Sequence, residues 1–374
     1  MLLIMGLLAV YSSSFAVGYL EYGDTNYFVM RQAVFALFGI GALVFFMRMD
    51  YRRLRVLSVP MMLVALAGLL AVLIPGVGVE RNGASRWLEF GPVSIQPSEF
   101  AKLAVIIYIS AWLASRGDQI HKFTLGFVPF ALILGIIGGL VIAEPDMGTT
   151  VIILLTASTL FFVAGAPISH LALLIGVGGF ISYWVILTRD YQIDRLMSFV
   201  SPESDPEGIG FHIIQLLIAL GSGGPAGLGW GASRQKFFYV PGAHTDGVFA
   251  IMGEELGFIG LIAIMGLFTF FLVRAVRTTV RAPDRFATLL AIGITSWIAY
   301  QALINMGGIT RTIPLTGVPL PFLSYGGSAL IAVLAGVGVL LSISRYGVDL
   351  GPVSEQPPPR KAARPRPAFR RETA

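Results

Sequence analysis

Cysteine is absent from the 374 residues, which excludes a disulfide framework, thiolate metal sites and cysteine nucleophiles. Histidine is scarce. His121, His170, His212 and His244 fall in separate segments, with no pair at metal-ligand spacing, so no zinc site is expected. No stretch reads G-x-x-x-x-G-K-[ST], and nothing suggests nucleotide hydrolysis. Charge is the deepest deficit: 13% of residues are charged, against about 25% in an ordinary soluble domain. Apolar residues make up 55% of the chain, and the mean hydropathy is +0.78. A spanning helix takes ~20 apolar residues, so this content supplies about ten spans with little left over. The composition argues against a soluble enzyme and describes an all-α integral membrane protein. The net charge of +5 is no footprint of a nucleic-acid partner, because its distribution follows the membrane.

Ten hydrophobic segments can be marked, at 2–19, 30–47, 56–75, 99–115, 125–143, 149–166, 169–188, 247–273, 286–304 and 328–344. The first lacks a basic flank and an A-x-A cleavage site and reads as a span. Lysine and arginine accumulate in cytoplasmic loops. With the N-terminus inside, the inner segments hold Arg48, Arg52, Arg53, Arg55, Arg116, Lys122, Arg274, Arg277, Arg281, Arg285, Arg345 and the six basic residues from Arg360 to Arg371. The outer segments hold only Arg31, Arg81, Arg86, Arg189, Arg195, Arg234, Lys236 and Arg311. Both termini are therefore expected in the cytoplasm. The long loops at 76–98, 189–246 and 305–327 fall outside. Residues 1–345 form one membrane domain, and 346–374 a disordered Pro/Arg-rich tail suited to anionic lipid. Within the 189–246 loop, FHIIQLLIAL (211–220) is too short to span and is expected to be interfacial or re-entrant. It is followed by GSGGPAGLGWG (221–231), whose six glycines permit sharp bends.

Polar groups at membrane depth are costly and mark function by default. Four clusters qualify, all on the outer half. Arg86 precedes QPSEFAK (96–102), in which Glu99 and Lys102 share a helix face at i,i+3; they either tie helices together or line a polar cavity. In EPDMG (144–148), Asp146 stands where a carboxylate caps a helix. In SRQKFFY (233–239), an extended backbone puts Arg234 and Lys236 on one side, as headgroup anchors or as a clamp for a pyrophosphate. In PGAHTDG (241–247), Thr245 or Asp246 either caps the next helix or Asp246 serves as a general base at the mouth of the bundle. His244 would tune that base. Glu254, eight residues on and about 80° round a helix, would line the same side more deeply.

Taken together, SRQKFFYVPGAHTD (233–246), EELGFIG (254–260) and PLTGVPLPFLSYGGSA (314–329) resemble the SEDS family of bacterial cell-wall proteins. NGASRWLEFG (82–91), QPSEFAK (96–102) and EPDMGTT (144–150) match further family blocks in the same order. The resemblance covers the chain up to Tyr346 and is most like the division branch. It implies ten transmembrane helices and a peptidoglycan glycosyltransferase that polymerises lipid II outside the cytoplasmic membrane. It makes Asp246 the counterpart of the essential aspartate, places Glu99 and Lys102 in the functional cavity, and carries Ser324 over weakly, with a helix cap as its plainer role. Gly242 and Gly247 depart from the family's usual glutamate and aromatic, which predicts a looser loop there.

The implied reaction joins a glycan carried on polyprenyl pyrophosphate to the 4-hydroxyl of an incoming lipid II sugar. It needs a base for the hydroxyl proton and stabilisation of the departing pyrophosphate. Asp246 is the candidate base, and Arg86, Arg234 and Lys236 the candidate pyrophosphate contacts. No protein-built cofactor site is expected; a divalent cation, Mg or Mn, would come with the pyrophosphate. The implied partners are lipid II, polyprenyl pyrophosphate, membrane lipids, divisome proteins and a class B penicillin-binding protein as transpeptidase. The rivals are a lipid II flippase, which needs a polar path through the whole bilayer, and a division scaffold, which reduces Asp246 to a cap.

Overall fold

In the computed structural model of the chain, residues 1–347 are described, apart from 82, 83, 92 and 189. The expected tail lies outside the described residues, save Tyr346 and Gly347. Three helices, α1 (Leu2–Tyr22), α2 (Tyr27–Arg48) and α3 (Arg52–Val72), lead into a three-stranded antiparallel sheet, β1 (Gly78–Arg81), β2 (Ala84–Phe90) and β3 (Val93–Ile95). Then come α4 (Pro97–Arg116), α5 (Val128–Ala143), α6 (Met147–Val163), α7 (Ile168–Thr188), and two short helices, α8 (Asp190–Val200) and α9 (Phe211–Ser222). The chain closes with α10 (Val248–Val280), α11 (Arg285–Ile309) and α12 (Gly327–Arg345).

Among the described residues, nine helices are long and apolar enough to cross a membrane. The remaining expected span, α6, has 17 residues, the short end of the range for a crossing. The protein is a multi-pass membrane protein. Helices α4, α11 and α12 are mostly buried and form the inner layer, whereas α7 and α10 leave most of their apolar surface outward. Helix starts follow local chemistry. Pro97 opens α4, where its missing N–H costs nothing. The Asp146 and Asp284 carboxylates cap α6 and α11 by accepting from Thr149 N at 3.0 Å and Ala287 N at 2.9 Å.

The 76–98 loop is a sheet, which reading it as a plain connection missed. The loop before α10 also holds more than the expected short helix. The latter is found as α9, burying Ile213, Leu216 and Ala219, and α8 precedes it. Helix α10 outruns its expected end at residue 273 and is broken at Gly257, which takes φ +68°. Backbone groups freed at membrane depth need new partners, and the glycine-rich segment after α9 supplies them. Phe258 N donates to Gly224 O at 2.9 Å and Ile259 N to Pro225 O at 3.1 Å. In return, Leu228 N and Gly229 N donate to Glu254 O and Glu255 O at 2.9 and 3.0 Å. A Cβ on Gly257 would lie 2.2 Å from Gly227 N, so the two backbones can approach only without it.

Candidate active site

Asp246 stands half-buried just before α10. The N-cap of that helix is Gly247, and no side chain caps it. Among the described residues, the Asp246 Oδ1 accepts from Thr245 Oγ1 alone, at 3.0 Å. Its backbone oxygen accepts from Asn305 Nδ2 at 3.0 Å, which ties the residue to α11. The capping role offered for Thr245 and Asp246 is therefore not taken up, and a carboxylate is left facing open space. The loop is tight, contrary to the looseness expected from Gly242 and Gly247. Gly242 O gathers Thr245 N, Gly247 N and Thr245 Oγ1 at 2.9–3.0 Å. At φ +63°, a Cβ on Gly242 would lie 2.5 Å from Asp246 Oδ1.

Two cavities meet at Asp246. One, of about 590 Å³, is lined by Arg86, Glu99, Asp146, His244 and Asp246, with Arg31 further along its wall. The other, of about 430 Å³, is lined by Arg195 from α8 and His212 from α9, together with Thr245 and Asp246. Gly317, at φ +71°, sits between the two charges: a Cβ there would lie 3.2 Å from an Arg195 guanidinium nitrogen and 3.7 Å from Asp246 Oδ2. Arg195, His212 and Arg31 were not singled out from the sequence. The first two sit in a loop with little periodicity, although the amphipathic run of α8 could have marked it.

In the first cavity, Glu99 and Lys102 pair at 2.8 Å, both almost fully buried. Lys102 does not face the space. Its Nζ also donates to Gln301 Oε1 at 2.9 Å, and Gln301 Nε2 donates to Pro319 O at 3.0 Å. Lys102 thus holds Glu99 and the 314–323 segment from behind, while Glu99 Oε2 has no protein partner. Arg86 donates from Nε to Glu144 O at 3.0 Å and from a terminal nitrogen to Pro145 O, which fixes it against the α5–α6 turn. Asp146 lines the cavity as well as capping α6. Both imidazoles beside Asp246 are held toward the neutral form by burial, His244 down to about 4, with the Asp246 charge opposing. His244 packs on Phe28 and Tyr325. Its Nδ1 and the His212 Nε2 lack partners, so each can still donate to or accept from a ligand.

Three expectations are overturned. Residues 233–239 are a run of turns, not an extended strand, because the Glu254 carboxylate accepts from Ser233 Oγ, Arg234 N and Gln235 N at 2.5–3.3 Å. Arg234 is consequently exposed and Lys236 buried, so they form no clamp. Lys236 pairs with Glu255 at 2.7 Å and donates to Gly231 O and Ser12 Oγ. Glu254, spent on that loop, lines neither cavity beside Asp246. Ser324 neither caps α12, whose N-cap is Gly326, nor lines either cavity at Asp246; its Oγ accepts from Leu320 N at 2.8 Å and closes a turn.

The fold is a bundle of helices long and apolar enough to cross a membrane, with a carboxylate between two cation-lined cavities. The chain belongs to the FtsW/RodA/SpoVE family, whose model, described as "Cell cycle protein", matches residues 1–348. It is 45% identical over 351 residues to stage V sporulation protein E of Bacillus subtilis, covering 92% of this chain and 94% of that one. It is 42% identical over 354 residues to a probable peptidoglycan glycosyltransferase FtsW of Trichlorobacter lovleyi, covering 93% and 91%. Among solved structures it resembles a chain from work on the structural coordination of polymerization and crosslinking by a peptidoglycan synthase complex, with TM-score 0.74, 29% identity and coverage of 92% and 97%. It also resembles the rod shape determining protein RodA of Thermus thermophilus, with TM-score 0.65, 28% identity and coverage of 92% and 96%.

Proposed function

We propose that the chain is a peptidoglycan glycosyltransferase that polymerises lipid II on the outer face of the cytoplasmic membrane, crossing it ten times with both termini inside, and that it works in cell division. The observation that carries the mechanism is the sharing of Asp246 by two cavities, since a glycan-joining enzyme must hold two lipid-linked sugars at one base. The acceptor's 4-hydroxyl oxygen attacks the donor's anomeric carbon and the proton passes to Asp246. The bond to the pyrophosphate breaks, and the arginine of the donor's cavity meets its negative charge, Arg86 and Arg195 standing one in each cavity, while the other faces the acceptor's pyrophosphate. Glu99, held by Lys102, and the neutral imidazoles of His244 and His212 orient sugar hydroxyls. Among the described residues no three His, Asp or Glu converge to hold a metal, so any Mg or Mn would be held chiefly by the pyrophosphate oxygens. The polyprenyl tails lie against the outward apolar helices.

The partner is a class B penicillin-binding protein that crosslinks the strands, a reading supported by the similarity to a chain of a peptidoglycan synthase complex. The test is to incubate the purified protein with lipid II, alone and with such a partner, and resolve glycan polymer on a gel. Polymer is expected. Its absence in both reactions, with lipid II crossing vesicle bilayers instead, would replace this reading by the flippase.

A further inference from the structure

A separate cavity of about 750 Å³ lies at the far end of the bundle from Asp246, between the C-terminal part of α10 and α12. Arg274 and Arg277, three apart on one face of α10, and Arg281 at its C-cap line it. Its floor is apolar, with Phe271, Leu340 and Leu341. None of the three guanidinium groups meets a carboxylate or a carbonyl among the described residues. Two other basic side chains at this end are engaged: Arg345 donates to Met47 O at 2.9 Å, and Arg52 lies over the Tyr51 and Tyr346 rings. The neighbouring acids are spent as well, Asp284 on Ala287 N and the Tyr51 hydroxyl, and Asp50 on Arg52 N.

We infer that this cavity is a binding site for an anionic phospholipid of the cytoplasmic leaflet, with the phosphate among the three arginines and an acyl chain along α10. Charge complementarity sets the headgroup, since three uncompensated cations over an apolar floor suit an anion that carries hydrocarbon. Position sets the leaflet. Beyond its break at Gly257, helix α10 runs on to Val280, about 34 Å at 1.5 Å per residue, enough to cross a ~30 Å hydrocarbon core and carry the arginines to the membrane surface. The helix flank continues the apolar wall, with Phe270, Val273 and Val276 exposed. By composition the chain's own tail is net basic and a poor counter-charge. It leaves the described residues at Gly347, beside the cavity, and carries Arg360, Lys361, Arg364, Arg366, Arg370 and Arg371 against Asp349, Glu355 and Glu372. The leaflet assignment rests on the orientation proposed above; the binding chemistry does not.

The test is native mass spectrometry of the full-length protein in detergent, titrated with phosphatidylglycerol or phosphatidylcholine. An arginine near an anionic surface is worth about a fivefold factor in affinity, so removing three costs roughly a hundredfold. The wild type should retain phosphatidylglycerol over phosphatidylcholine, R274Q/R277Q/R281Q should lose that preference, and R274K/R277K/R281K should keep most of it. All three side chains are exposed, so the variants should fold, and their melting temperatures check this. Equal retention of the two lipids by the wild type, or unchanged retention in the glutamine variant, overturns the inference. So does a glutamine variant that binds phosphatidylglycerol normally and loses only its penicillin-binding partner, which would make the patch a protein contact. Orientation is read separately, by labelling a cysteine at position 281 of this cysteine-free chain from one side of the membrane. External labelling would move the lipid to the other leaflet and leave the binding result standing.

Discussion

Replacing Asp246 by asparagine separates the base from every structural role the residue could hold. Asparagine caps helices about as well as aspartate, and loss of a cap costs roughly 1 kcal/mol. Here even that cost should be absent, because Gly247 occupies the N-cap and, among the described residues, the carboxylate accepts from Thr245 Oγ1 alone. The amide oxygen of asparagine keeps that bond, and Asn305 still donates to the backbone oxygen. The melting temperature should therefore stay within about 2–3 °C of wild type, the shift a change well under 1 kcal/mol would give. Catalysis should not survive. General-base assistance is worth roughly 10²–10⁴-fold, so single-turnover polymerisation of labelled lipid II should fall by about that factor. Lipid II binding, measured in parallel, should change little. A variant that polymerises near the wild-type rate would refute the assignment, and Glu254 would not replace it, since its carboxylate is spent on Ser233, Arg234 and Gln235. Should the asparagine variant melt early, Asp246→Glu decides: a base moved by one methylene leaves a reduced rate that still depends on pH, whereas a scaffold role leaves none.

Lys236→Met strips the cation from a fully buried pair and leaves Glu255 uncompensated, a loss of roughly 3–5 kcal/mol that thermal unfolding should register, whereas Arg234→Gln should alter neither stability nor rate. Arg195→Gln removes a charge-assisted contact worth roughly 1.5–3 kcal/mol, so the rate at low lipid II should fall about ten- to a hundredfold; an unchanged value would take Arg195 out of the site. Glu144 is buried without a hydrogen-bond partner, and burial, reinforced by Asp146 and opposed by Arg86, raises its carboxyl to about 8. Its native pKa lies above the ordinary 4.5, so its protonated form supports the fold at low pH and that support is lost as pH rises from 4.5 through about 8; Glu144→Gln should flatten the fall in melting temperature over this window, and a parallel fall would refute it.

The membrane bundle was legible because apolar length is read by counting. The pairing of Glu99 with Lys102 was legible because i,i+3 spacing is fixed by the helix. Arg234 and Lys236 were placed by a local period, but a carboxylate twenty residues away in sequence curls that backbone, and Lys236 is buried against Glu255 and Ser12. Ser324 differs for a local reason: its partner lies within its own turn and not in the helix it precedes. The sheet at 78–95 did carry a local signal, the Asn82-Gly83 pair between alternating residues, which favours a hairpin.

What no local signal carried is the arrangement around Asp246, because its parts come from five separate regions of the chain. Arg86 arrives on the sheet, Glu99 on α4, Arg195 on α8, His212 on α9, and Gly317 in the segment before α12. Only a fold can bring them together, and the polar links between them explain how it does so in a chain with so little charge. Gln301 joins Lys102 to Pro319 O, and Asn305 joins the Asp246 and Val318 backbones at 3.0 and 2.8 Å. Two amides on α11 thus bind the base, the ion pair and the Gly317 segment into one connected network. A buried amide left without a partner costs about twice what the bond it makes is worth, so the network favours one register of these elements over its neighbours. Neutral amides hold much of the wall of the site, which leaves Asp246 facing the space where, on the function proposed, a sugar hydroxyl attacks an anomeric carbon and pyrophosphate departs.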